Sequence, residues 1–202
     1  MDTAPAVCAH EAPAASDYLD RLMRRNSFEA LWPLFAKAQR PAKELTESYS
    51  ALVHLRPFLQ KREGCRVVHV GDGAHARTAA MFSLKSKTYN ISVDPELNLA
   101  LVDDWRQRFG VERFERRRAR IEDVAQELNT SSDVPTFVTF VHAHVEVEQV
   151  LARLRWDAAF VLACCVPGKQ LCRSHVRFEG EDMNVLSLGR RYQVLVNESR
   201  SR

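Results

Sequence analysis

The chain has 202 residues, 46% of them hydrophobic and 27% charged, with a formal net charge of +3. That size supports one domain with a core that needs no disulfides, and the balance excludes wholesale disorder. So small a surplus does not by itself mark a nucleic-acid binder, and no apolar run approaches the ~18 residues of a bilayer span.

Met1 to Ser16 is rich in Ala and Pro and carries Asp2 and Glu11, so it lacks the basic start and apolar centre of a secretory signal. We read residues 1–16 as a disordered tail, 17–60 as a helical extension and 61–202 as an α/β domain. Ser16 is placed to cap a first helix with Tyr18, Leu19, Leu22 and Met23 on one side. Ser27 is placed to cap a second, with Phe28, Leu31, Trp32 and Phe35 at helical spacing. Pro41 interrupts, a third helix runs from Ala42 to Leu55, and Pro57 limits it.

After Gly64 strands alternate with helices. Arg66–Val70 is a short β-branched strand, Ala74–Leu84 a helix, Thr88–Val93 a strand and Leu97–Phe109 a helix. Glu112–Arg118 is a third strand, Ile121–Leu128 a helix, Thr136–Val141 a fourth strand, Val145–Leu154 a helix and Ala158–Cys165 a fifth strand. Asn184–Leu188 and Tyr192–Asn197 read as a hairpin around Gly189. The alternation predicts an α/β, Rossmann-like fold: a mainly parallel sheet of about seven strands, helices on both faces and a C-terminal antiparallel hairpin.

Glycine is scarce, seven in 202, about half its usual frequency of roughly 7%. Two of the seven share the loop Val70-Gly71-Asp72-Gly73-Ala74-His75-Ala76 after the first strand. Missing side chains let a backbone approach a ligand, and the next helix offers free N–H groups and a positive dipole end. Asp94, ending the second strand, is placed to accept two bonds from a ribose diol. Glu122 and Asp123, beyond the third strand, are in reach of a base edge. A nucleoside-type ligand follows; the plainer alternative is that Gly71 and Gly73 permit a tight turn and Asp94 caps a helix.

The stretches RVVHVGDGAHARTAAMF, NISVDPEL, TFVTFVHAH and AAFVLACCVPGKQ resemble the class I S-adenosylmethionine-dependent methyltransferase superfamily, as a divergent member. The resemblance runs from about Ala42 to Asn197. It implies S-adenosyl-L-methionine as cofactor, with Gly71, Asp72, Gly73, Ala74 and His75 around its methionine part, Asp94 on the ribose and Glu122 or Asp123 facing the adenine. It places His142, after the fourth strand, where such enzymes often hold a catalytic or substrate-positioning group. Two positions depart from the pattern: His69 stands where the family has an acid, and His75 where it has a third glycine. The first change removes a carboxylate that helps fix the cofactor's amino end, so a methyltransferase-like binding or assembly module without catalysis is the second reading. A shorter similarity, a histidine after strand four and Cys164-Cys165 after strand five, is to RNA-modifying methyltransferases.

Gly71-x-Gly73-x-x-Ala76 also fits a nicotinamide-dinucleotide fingerprint, though no second, substrate-binding domain follows. His144 flanks His142 two residues on. Cys172 and His175 have a metal-like spacing, but no CxxC pair accompanies them, so no metal site is expected. The odd count of five cysteines, two adjacent, argues for a reducing compartment, hence an intracellular, cytoplasmic protein. Arg113, Arg116, Arg117, Arg118 and Arg120 cluster beside Glu112 and Glu115; they are the expected contact if RNA is a partner.

Overall fold

The structure is a computed structural model that describes residues 16–24, 26–130, 133–163 and 170–200. The readings that fall on the N-terminal tail, Cys164 and Cys165 lie outside the described residues.

Three helices come first: α1 (Asp17–Met23), α2 (Ser27–Phe35) and α3 (Pro41–Leu59). Then β1 (Arg66–Val70), α4 (Arg77–Lys85), β2 (Tyr89–Val93), α5 (Leu99–Arg108) and β3 (Phe114–Arg117) follow. The chain continues through α6 (Ile121–Leu128), β4 (Thr136–Val141), α7 (Val147–Arg153) and β5 (Ala158–Leu162) to a hairpin of β6 (Val176–Glu181) and β7 (Arg191–Val196). The sheet order is β3-β2-β1-β4-β5-β7-β6, with the first five strands parallel and β7 antiparallel to both β5 and β6.

Both faces of the parallel part are covered, which is why every residue of β1 and β5 is buried despite their lack of polar–apolar alternation. Alternation instead divides the apolar residues between two cores. Val67, Phe137 and Phe160 face α1 to α5, while Val68, Val70, Val138 and Phe140 face α6 and α7.

Several local expectations are corrected. Ser16 does not cap α1 with its side chain; its Oγ donates to the carbonyl of Asn184 at 2.6 Å, anchoring the helix to the C-terminal part of the chain. Asn26, not Ser27, precedes α2, and the buried face is Leu31, Leu34 and Phe35, with Trp32 exposed and against Phe28. Pro41 starts α3 rather than interrupting it, since the first turn needs no N–H at that position. Pro57 sits inside α3, which runs on to Leu59. Asn184–Leu188 is not a strand. It belongs to the link between β6 and β7 and packs on α3, where the Leu186 N–H donates to Thr46 Oγ1 at 3.0 Å.

Candidate functional site

The chain runs from β1 outward to β2 and β3, then returns to β4 and β5 on the other side of β1. This reversal opens a crevice beyond the carboxyl ends of β1 and β4. Two adjoining lobes occupy it, and Gly71 and His144 border both.

One lobe, of about 590 Å³, lies toward β2 and β3. Val93, Pro95, Ala119 and Ile121 supply apolar wall, and Glu122 and Asp123, from the first turn of α6, supply carboxylates. The other, of about 760 Å³, lies toward α3 and is bordered by Asp72, Gly73, Arg77, His142 and the end of the β6–β7 link.

Gly71 (φ +67°) and Gly73 (φ +69°) both take left-handed backbone. At Gly71 a side chain is also barred by space: a Cβ would meet the Ala143 Cβ at 2.7 Å. Nothing lies within 4 Å of a Cβ at Gly73. Asp94 is buried behind this loop. Its Oδ2 accepts the Gly73 N–H at 2.8 Å and its Oδ1 accepts the Glu96 N–H at 2.7 Å. Each oxygen therefore keeps a lone pair for a further donor.

Asp72 turns toward the start of α4. Its Oδ1 accepts the Thr78 N–H at 2.8 Å, and its Oδ2 accepts the Ala79 N–H at 3.0 Å and the Ser92 hydroxyl at 3.1 Å. Burial pushes its pKa up to about 6; the donors of Ala79, Thr78 and Ser92 pull the other way. The helix end expected to be free for a ligand anion is thus met by the chain's own carboxylate. Ala74 and His75 border neither lobe; the Ala74 carbonyl accepts the Asn98 N–H at 2.9 Å. Burial, with Arg77 and Lys37 nearby, holds the His75 pKa low.

His69 is in the core, not the cleft. Its Nδ1 accepts from Thr139 Oγ1 at 2.8 Å and its Nε2 donates to Asn90 Oδ1 at 3.1 Å, in the tautomer those partners dictate. Burial drives its pKa down to about 3, so the ring is neutral and ties β1 to both neighbours.

His142 follows β4 with φ +52°, a left-handed conformation rare for a side-chain-bearing residue. Its Nε2 is 2.8 Å from Oε1 of Glu47 on α3. Lys43, one turn earlier, reaches the same carboxylate at 2.9 and 3.1 Å. Burial works to raise the Glu47 pKa, but His142 and Lys43 outweigh it and hold it below the usual range. Sequence reasoning missed Glu47 and Lys43. An i, i+4 Lys–Glu pair looks like a solvated helix surface, and only packing against the end of β4 makes it part of a cavity.

The arginine cluster lies on and around β3, at the sheet edge. Arg116 pairs with Asp103 at 2.6 Å, Arg117 with Glu115 and with Glu127 at 2.7 Å, and Arg118 donates to the Pro95 carbonyl at 3.3 Å. Arg120 borders the β2–β3 lobe. Cys172 is buried, its thiol pushed up to about 12 by burial and then by Glu148. Among the described residues no three metal-ligating side chains gather, and no helix is long and apolar enough to cross a membrane.

An apolar slot with acids at its edge, a loop thinned by Gly71 and Gly73, and a carboxylate behind it with spare lone pairs fit a nucleoside; Asp94 itself borders neither lobe. Strand order and crevice define the class I methyltransferase fold. A solved structure shares this fold. A mutant of MtNAS in complex with S-adenosylmethionine matches 89% of this chain and 74% of its own, with TM-score 0.54 and 12% identity. The bifunctional kinase-methyltransferase WbdD matches at TM-score 0.48 and 18% identity, over 79% of this chain; this chain spans 39% of it. An rRNA methylase from Streptococcus thermophilus matches at TM-score 0.44 and 17% identity, over 73% of this chain and 96% of its own. No protein-family model matches the sequence, and no curated protein matches it.

Proposed function

We propose that the chain binds S-adenosyl-L-methionine across the two lobes and transfers its methyl group to an acceptor held in the α3-side lobe. The observation that carries this reading is the Asp94–Gly73 clamp, a buried carboxylate held to the glycine loop, whose chain neighbours Val93 and Pro95 line the β2–β3 lobe. The spare lone pairs of Asp94 take the ribose hydroxyls, Glu122 and Asp123 take the amino edge of the base, and Gly71 and Gly73 keep the loop thin beside the ligand. Asp72 turns its carboxylate to α4 yet borders the α3-side lobe, and is the acid left near the amino end in place of position 69. Bound, the cofactor supplies an electrophilic methyl for in-line displacement, a reaction governed by positioning. His142 accepts the acceptor's proton at the mouth of β4.

A second reading, a binding module without catalysis, is favoured by one observation: the α4 donors of Thr78 and Ala79 are already taken by Asp72. Calorimetric titration with S-adenosylmethionine tests both. Micromolar binding that Asp94→Ala abolishes, in a variant whose circular dichroism is unchanged, supports the cofactor assignment. A folded protein giving no heat at millimolar cofactor overturns it. Binding without label transfer from methyl-labelled cofactor to any acceptor class leaves the module.

A further inference from the structure

Glu47 is a buried carboxylate whose side chain is 2% exposed, on a helix that precedes the sheet. Lys43 reaches the same carboxylate and balances its charge. Glu47 Oε1 and His142 Nε2 are both sealed from solvent and 2.8 Å apart, and Lys43 Nζ lies 2.9 Å from the same oxygen. The His142 side chain as a whole is 22% exposed and borders the α3-side lobe. With Nε2 closed off, the nitrogen that remains to the ring is Nδ1. The left-handed backbone at His142 is the kind of strain that persists where the surroundings over-determine it, and here it brings the ring against α3. The other charged groups around the lobe are Arg40 just before α3, Glu44 on α3, Arg77 on α4, Asp72 and His144.

We infer that Glu47 is a positioning residue: it holds the proton of neutral His142 on Nε2 and leaves the Nδ1 lone pair open to the lobe. A carboxylate beside one ring nitrogen fixes which tautomer is present. The inference rests on the proposed function for its consequence, which concerns the acceptor. An Nδ1 lone pair takes up a proton, so the acceptor is a nucleophile that carries one, such as an amine, a ring N–H or a hydroxyl. In the step the nucleophile's lone pair forms the new bond to carbon and the sulfur–carbon bond breaks with its electrons left on sulfur. The nucleophile's proton passes to Nδ1, giving an imidazolium beside the Glu47 carboxylate, and is then lost to water. A thioether or a pyridine-type nitrogen has no proton to give and makes no use of this device.

The test is a nitrogen-15 correlation spectrum of the full chain with labelled histidine, His142 being assigned by its loss in His142→Gln. We expect a single tautomer, protonated at Nε2, in the wild type. In Glu47→Gln that preference is lost, and in Glu47→Asp it is largely restored. A wild-type ring protonated at Nδ1 overturns the inference without any variant, and so does an Nε2 tautomer that persists in folded Glu47→Gln. Label transfer then checks the acceptor class: methylation of proton-bearing acceptors that falls at least 100-fold in His142→Gln supports it. Transfer to thioethers at a rate His142→Gln leaves unchanged overturns it. Cofactor titration reports separately on the reading beneath, since failure to bind S-adenosylmethionine removes the methyl-transfer reading whatever the tautomer.

Discussion

Gly71 and Gly73 share a backbone conformation but not a reason for being glycine. A residue with a Cβ costs about 1 kcal/mol in left-handed backbone. At Gly73 that is the whole cost, since a Cβ there meets open space. At Gly71 the Cβ also collides with Ala143, so strain and overpacking add. We expect Gly71→Ala to lower stability by about 3 kcal/mol and Gly73→Ala by about 1 kcal/mol, measured by urea unfolding. His69 gives a second expectation. Its folded pKa of about 3 lies below the ordinary 6.5, so the unfolded chain binds the proton more readily between those values. Its contribution is therefore intact above pH 6.5 and is lost as pH falls toward 3. Asp72 has the opposite sign: raised to about 6, it favours the folded state as pH falls from 6 toward 3.8. His69→Gln should flatten the stability loss between pH 6.5 and 4 even where it lowers stability at pH 7; an unchanged slope would refute the assignment. At this scale the glycine loop and Asp94 were legible because turn and strand-end positions leave a mark in sequence. The destination of the Asp72 carboxylate was not, because a loop acid reads alike whether it faces a ligand or its own helix.

The third helix joins more of the molecule than its apolar stripe announces. Thr46, Glu47, Ser48 and Ser50 are all buried along it. Ser50 and His54 donate to Asp182 Oδ2 at 2.6 and 3.2 Å, and Tyr18 of α1 donates to the same atom at 2.7 Å. Burial alone would raise the Asp182 pKa, yet the donors His54, Ser50 and Tyr18 bring it down to about 2. A depressed carboxylate contributes stability that is present above the ordinary 3.8 and is lost as pH falls through 2. Asp182→Asn should cost about 3 kcal/mol at pH 7, because three donors lose a charged acceptor. The same variant should show a shallower acid limb between pH 4 and 2, read by unfolding at each pH. Four of the five parallel strands were legible because short apolar runs between helices leave few alternatives, and the polar β3 because it falls between two helices. The first strand of the hairpin was not, since Val176–Glu181 is a largely exposed edge whose polar pattern resembles a loop. The apolar Val185 region looked like a strand because it is buried against α3 rather than in the sheet.

For the whole molecule, the net charge of +3 equals the surplus within residues 112–120 alone. The cluster was visible in sequence; its neutralisation was not, since Asp103 and Glu127 lie outside that stretch. Ligand linkage acts at this scale too. A ligand that binds only the folded state stabilises by roughly 2.7 kcal/mol at 100 times its Kd. Saturating S-adenosylmethionine should therefore raise the melting temperature of the wild type and leave that of Asp94→Ala unmoved. The contacts of Asp182 also set a schedule for synthesis. Tyr18 waits 164 positions for its partner and Ser50 waits 132. A chain growing on the ribosome can pair β1 with β2 early, but the lobe against α3 has no outer wall until the β6–β7 link has emerged. The half-made chain thus holds the β2–β3 lobe without its neighbour, and the α3-side lobe is walled only once residues 186–189 have been made.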